Sequence, residues 1–128
     1  MIQRLSFWIM MIVCSVMVSG QEYDGYYTNP ILPSGADPWV VKHEGWYYYC
    51  CGVPGGIGVS RSRDLHKINP PVRVWKAPEK GQWNSTCIWA PELHFWKGKW
   101  YIFYAGGYSG PPFIHQKTGV LESVTSDA

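Results

Sequence analysis

The fold is decided by the stretch Ala36-Asp37-Pro38-Trp39-Val40-Val41-Lys42-His43-Glu44-Gly45-Trp46-Tyr47, because a version of it occurs twice. The second copy is Trp89-Ala90-Pro91-Glu92-Leu93-His94-Phe95-Trp96-Lys97-Gly98-Lys99-Trp100-Tyr101, with one additional residue after the glycine. The prolines of the two copies are 53 residues apart. Each copy combines two short strand-like runs with a glycine-containing turn, at Glu44-Gly45 and at Lys97-Gly98-Lys99, which predicts two β-hairpins.

A third strand-like run follows each hairpin after a glycine-rich link, at residues 58–62 in the first copy and 119–123 in the second. A repeat of about 50 residues with three or four short strands is typical of a propeller blade. Two similar hairpins also occur in β-sandwiches, so the repeat by itself leaves that architecture as an alternative.

The rest of the chain after residue 20 is also strand-like. Apolar residues do not recur at helical spacing over three turns anywhere in it, so we expect an all-β chain without a helix longer than two turns. The predicted strands are residues 39–43, 46–51, 57–61, 72–76, 92–96, 100–105 and 120–124. They would form one four-stranded blade and an incomplete second blade. Since a propeller ring usually needs at least four blades, we expect this chain to be a truncated part of a longer protein.

The amino terminus has the layout of a secretory signal peptide. Residues 1–4 carry one positive charge, and the apolar run 5–18 is shorter than the roughly 20 residues that span a bilayer. We expect cleavage after Gly20, and an uncleaved membrane anchor is the alternative. The predicted organisation is a signal peptide at 1–20, a leader segment at 21–36 and part of a propeller at 37–128, in a secreted protein without a membrane partner after cleavage.

The distribution of charge argues against a nucleic-acid partner. The formal net charge is +2, and the eleven Lys and Arg residues are scattered singly, whereas a nucleic-acid-binding protein would carry a basic stripe. Trp and Tyr together make up 17 of the 128 residues. Their flat amphipathic rings suit both sugar faces and protein cores, and composition does not separate those uses.

Three cysteines, Cys50, Cys51 and Cys87, would remain after signal cleavage. Cys50 and Cys51 are adjacent in a predicted strand and would point to opposite faces, so at most one of them is expected to pair with Cys87. Burial as free thiols is an equally good interpretation. Their spacing does not suit a metal ion, and we predict no metal site and no cofactor. Asn84-Ser85-Thr86 is a glycosylation sequon that would be used only in a eukaryotic secretory pathway.

Three segments, taken in order, resemble glycoside hydrolase family 43. They are residues 29–40, which contain Asp37-Pro38, then residues 60–65, and then residues 88–94 with Trp89-Ala90-Pro91-Glu92. The resemblance extends over about residues 28–128. It implies a five-bladed β-propeller that hydrolyses bonds to arabinofuranose or xylose with inversion of configuration, using three carboxylates around a central pocket.

By motif position, the resemblance assigns Asp37 as the general base that deprotonates the attacking water. The general acid and the carboxylate that tunes its pKa would come from later blades, beyond this chain. Trp89 matches a hydrophobic wall of the sugar-binding subsite, and Glu92 is assigned to substrate binding or to structure rather than to catalysis. A packing role for Trp89 is the alternative.

The residues around Asp37 support that assignment physically. Proline disfavours the helical conformation in the residue before it, so we expect Asp37 to be extended and held at the start of a strand. An isolated Asp-Pro is otherwise a common turn.

The predicted function is that of a secreted α-L-arabinofuranosidase-like glycosidase whose partner is a plant cell-wall polysaccharide or oligosaccharide. A β-xylosidase or arabinanase on the same propeller is the alternative enzyme. A non-catalytic sugar-binding propeller, with Asp37 as a hydrogen-bond acceptor only, is the alternative of another class.

Overall fold

The computed structural model describes residues 29–126, and in that range every regular element is a β-strand. The predicted signal peptide at residues 1–20 and the start of the leader lie outside the described residues. The strands are β1 Trp39–His43, β2 Trp46–Val53, β3 Gly56–Ser62, β4 Val72–Lys76, β5 Thr86–Trp96, β6 Lys99–Gly107 and β7 Lys117–Glu122.

The strands form two antiparallel sheets in chain order. Strands β1 to β4 make the first sheet and β5 to β7 the second. Each strand pairs with the next one along the chain, as in a meander. The prediction of an all-β chain with one four-stranded blade and an incomplete second blade is therefore confirmed.

Both hairpin turns contain two residues. Glu44 and Gly45 have φ values of 47° and 75°, and Lys97 and Gly98 have φ values of 48° and 79°. Positive φ at both turn positions defines a type I′ turn, whose twist matches that of the flanking strands. The prediction that Lys99 belongs to the second turn was wrong, because Lys99 is the first residue of β6 and pairs with Trp96.

Strand β5 starts six residues before its predicted start, at Thr86 rather than Glu92. Proline lacks the N–H that a strand residue donates, so Pro91 interrupts the local strand pattern. The pairing of β5 with β6 instead shifts register twice, between Thr86 and Trp89 and between Trp89 and Glu92. These irregularities let the strand continue through the proline.

The hydrophobic core lies between the two sheets. One face of each sheet supplies alternate side chains, and removing this apolar surface from water is what holds the sheets together. Tyr48 and Trp100 meet at its centre, with ring centroids 4.7 Å apart. The buried members are Tyr48, Cys50, Ile57, Val59, Leu93, Trp100, Ile102 and Tyr104.

The three cysteines in the described range, Cys50, Cys51 and Cys87, are free thiols. Cys50 and Cys51 point to opposite faces of β2, as predicted, and both are buried. Of the two interpretations left open by the sequence, burial as free thiols is confirmed for this pair. The Cys87 thiol lies 3.5 Å from the backbone carbonyl oxygen of Ser109.

Burial raises the pKa of Cys50 to about 12, so this thiol is expected to resist alkylation. The thiolate is the nucleophile, and a pKa about three units above the ordinary value lowers its population about 1000-fold at pH 8. Because the fold favours the neutral thiol, the contribution of Cys50 to the stability of the protein is fully present below the ordinary thiol pKa. This contribution is lost as the pH rises toward 12.

Peptide mapping after brief iodoacetamide treatment at pH 8 measures this protection. The native protein is expected to carry label on the half-buried Cys87 well before Cys50, and unfolding in urea should equalise the two residues. Equal labelling rates in the native protein would contradict the buried position of Cys50.

Candidate active site

The first strands of the two sheets, β1 and β5, lie beside each other and are called the inner strands below. The indole N–H of Trp39 donates to the Leu93 carbonyl oxygen over 2.8 Å, and the rings of His43 and Phe95 are 4.0 Å apart. These contacts occur in the same order along both strands, so the inner strands run in the same direction. Asp37 precedes β1 and Trp89 lies in the first part of β5, so both are at the starting end of this strand pair.

Asp37 is exposed and has a φ of 48°, which is the left-handed region. The expectation of an extended Asp37 was therefore wrong. Aspartate tolerates this region better than most residues because its short polar side chain forms local hydrogen bonds. Such a conformation costs on the order of 1–3 kcal/mol and is concentrated at functional sites. The Asp37 carboxylate makes no side-chain hydrogen bond or ion pair with another residue in the range 29–126.

The second sheet repeats the conformation of Asp37 at Ala90. Ala90 has a φ of 45° and precedes Pro91, 53 residues after Asp37-Pro38. A left-handed residue followed by proline therefore occurs at the same place in both copies of the repeat. Only the first copy places a carboxylate there, which distinguishes Asp37 from a purely structural feature of the repeat.

Trp89 forms an exposed aromatic pair with Phe113. The two ring centroids are 4.9 Å apart at an interplanar angle of 66°, and the residues are 40% and 42% exposed. Phe113 lies in the loop between β6 and β7 and has a φ of 56°. Phe113 was not among the predicted site residues. The available signal was an aromatic residue directly after Pro111-Pro112 in a glycine- and proline-rich loop.

Glu92 contacts His94 on the same face of β5. The distance between Glu92 Oε2 and His94 Nε2 is 3.5 Å, and both side chains are nearly half exposed. Leu93, between them, points into the core, so Glu92 and His94 lie on the opposite face of the second sheet. The His94 ring also lies 5.0 Å from that of Trp39. Within the described residues, no ion pair or side-chain hydrogen bond connects Glu92 with Asp37.

The glycosylation sequon lies in the link before β5. The Asn84 side-chain amide donates to the Tyr104 hydroxyl oxygen over 2.7 Å, and Tyr104 is buried. The nitrogen that would carry a glycan is therefore engaged within the fold.

No group of three or more His, Cys, Asp or Glu residues between 29 and 126 is placed to hold a metal ion. The same range contains no helix with the length and hydrophobicity needed to cross a bilayer.

Known proteins resemble this chain in sequence. It is 38% identical over 103 residues to alpha-L-arabinofuranosidase 43 of Humicola insolens, a match that covers 77% of this chain and 21% of that relative. It is 37% identical over 86 residues to an extracellular exo-alpha-(1->5)-L-arabinofuranosidase of Streptomyces avermitilis, covering 63% of this chain and 18% of the relative. The chain thus spans about a fifth of the length of these relatives.

Solved structures resemble it in fold. An alpha-L-arabinofuranosidase from Lactobacillus brevis superimposes with a TM-score of 0.69 at 32% identity, over 79% of this chain and 34% of that one. A thermostable family-43 glycoside hydrolase gives a TM-score of 0.60 at 28% identity, over 79% and 33% of the respective chains. The two sheets correspond to one blade and three strands of a second in a five-bladed propeller.

The family profile decides the classification. The profile described as Glycosyl hydrolases family 43 matches residues 27–127, which include both inner strands and the Asp37 and Trp89 segments. This chain therefore belongs to glycosyl hydrolases family 43.

Proposed function

We propose that this chain is part of a secreted glycosidase that cleaves α-L-arabinofuranosyl bonds in plant polysaccharides with inversion of configuration. The observation that carries the proposal is Asp37, an exposed carboxylate without a side-chain partner among residues 29–126 that shares the starting end of the inner strands with Trp89. Family membership and relatives named as arabinofuranosidases support the choice of sugar.

Asp37 acts as the general base in this proposal. It accepts a proton from the water that attacks the anomeric carbon, on the face opposite the leaving oxygen. In inverting enzymes the base and acid carboxyl groups are about 6.5–9.5 Å apart, which leaves room for that water. The lack of a side-chain partner among residues 29–126 suits this role, because a carboxylate already engaged in an ion pair is a weaker base.

The general acid and the carboxylate that tunes its pKa come from blades other than the two formed here. Glu92 is a poor candidate for the acid. Its carboxylate is nearly half exposed and lies 3.5 Å from the His94 imidazole, and by motif position it matches neither the general acid nor the carboxylate that tunes it.

The substrate sugar contacts Trp89 and Glu92. The Trp89–Phe113 pair presents apolar ring surface, on which the C–H face of a sugar packs. Glu92 follows Trp89 by three residues and offers carboxylate oxygens to sugar hydroxyls. The Glu92 side chain lies outside the core. Among the described residues, a ligand that binds it would therefore compete only with its contact to His94.

Secretion forms part of the proposal. The apolar run at residues 5–18 and the small residues before position 21 are typical of a signal peptide, and the matched Streptomyces avermitilis relative is named extracellular. An extracellular enzyme would meet cell-wall polysaccharide directly.

The test uses the longer protein that contains this chain, assayed with an aryl α-L-arabinofuranoside and an aryl β-D-xyloside. We expect turnover of the arabinofuranoside, with the inverted anomer as first product by NMR, and no turnover by residues 21–128 alone. Faster xyloside cleavage would assign a xylosidase, and binding without turnover would assign a sugar-binding propeller. Retention of configuration would remove the base role from Asp37.

A further inference from the structure

Trp39 is the residue that joins the segment carrying Asp37 to the second sheet. It is the first residue of β1, two positions after Asp37, and its indole N–H donates to the Leu93 carbonyl oxygen over 2.8 Å. Its ring also lies 5.0 Å from that of His94. We propose that Trp39 is a positioning residue, which fixes the Asp37 carboxylate relative to the inner strand that carries Trp89. The inference rests on the proposed role of Asp37 as the base.

Leu93 provides a fixed point for this hydrogen bond. Its side chain is 1% exposed in the core between the sheets, so its carbonyl oxygen moves only if the second sheet moves. The indole N–H is a donor with a single direction, and the bond is partly buried. Trp39 is in turn held in the first sheet by its pairing with Cys50, which is fully buried.

Asp37 depends on Trp39 because little else holds it. Its carboxylate has no side-chain partner within the described range, and its backbone is in a left-handed conformation that the chain does not favour by itself. Only Pro38 separates the two residues, and its ring fixes one of the two backbone dihedrals at that position. A displacement of Trp39 is therefore expected to displace Asp37 as well.

This arrangement predicts an effect on the chemical step more than on binding. A general base displaced by about 1 Å from the attacking water costs about 100-fold in rate. Sugar contacts made by Trp89 and Glu92 lie on the second sheet and remain in place. Replacing Trp39 by Phe, which lacks the N–H donor, is expected to lower kcat about 10- to 100-fold and to change KM less than about threefold.

Trp100 supplies a matched control. Its indole N–H also donates to a backbone carbonyl oxygen, that of Ser126 at 2.9 Å, and its ring is buried in the same core. It lies beside the turn that starts β6, at the other end of the inner strands from Asp37. Trp100→Phe is expected to lower the thermal midpoint at least as much as Trp39→Phe while leaving kcat within about threefold of the wild type.

The experiment compares Trp39→Phe, Trp100→Phe and Asp37→Asn in the full-length enzyme with an aryl α-L-arabinofuranoside. If Trp39→Phe does not fold, a tryptophan analogue with sulfur in place of the indole N–H is used at position 39 instead. This analogue keeps the shape of the ring but lacks the donor. Equal kcat values for the two tryptophan variants, or a change confined to KM, would overturn the positioning role. If Asp37→Asn retains wild-type activity, the proposed base role itself fails, which separates the two inferences.

Discussion

Asp37→Asn is expected to lower kcat of the full-length enzyme about 100- to 10,000-fold on an aryl α-L-arabinofuranoside, because general-base assistance contributes a factor of that size. The amide is nearly the same shape as the carboxylate but does not accept a proton from the attacking water. The Asp37 side chain is exposed and makes no side-chain contact within residues 29–126 that the substitution would break. The thermal midpoint is therefore expected to stay close to that of the wild type.

Asp64→Asn is the control for this substitution. Asp64 lies in the turn after β3, and the backbone N–H of His66, 2.9 Å from Asp64 Oδ1, holds the pKa of this carboxyl below its usual range. Removing that charge should leave kcat within about twofold, because Asp64 has no proposed role in the reaction. Activity of Asp37→Asn within tenfold of the wild type would contradict the base assignment.

Leu93→Ala is expected to have the largest effect on stability. Leu93 is 1% exposed and packs between the two sheets, so its truncation removes apolar contacts and leaves a cavity. Substitutions of this kind lower the free energy of unfolding by about 2–5 kcal/mol. The loss should be toward the upper end because both sheets are held by the same small core.

Urea unfolding followed by tryptophan fluorescence measures this change. Leu65→Ala is a control of the same chemistry at a residue that is 39% exposed, and it should cost less than about 1 kcal/mol. Loss of equal stability in the two variants would mean that the sheets do not pack through Leu93.

The sequence predicts the strands well where local signals are strong. The bounds of β1 and β4 match the prediction because proline or a glycine-containing turn lies close to each end of these short runs. The start of β5 was not predictable in the same way. Passage of a strand through Pro91 depends on shifts in its pairing with β6, which local residue preferences do not encode.

The candidate site was predicted in part. The position of Asp37 follows from its motif, but its left-handed conformation contradicts the preference of a residue before proline. The ring contact of Trp89 with Phe113 joins a residue of β5 to a residue of the loop between β6 and β7. The Trp39–Leu93 hydrogen bond joins residues 54 positions apart. The first contact depends on the path of the loop between β6 and β7, and the second requires the two sheets to pack, so neither had a local signal.

A crystal structure of the full-length enzyme with its inverted arabinose product bound tests the central claim most directly. In an inverting reaction the oxygen of the attacking water becomes the anomeric hydroxyl of the product. We expect that hydroxyl to lie about 2.6–3.2 Å from the Asp37 carboxylate, the range for a general base, with the sugar against Trp89. An anomeric hydroxyl bound instead by another carboxylate, with Asp37 outside the pocket, would contradict the account.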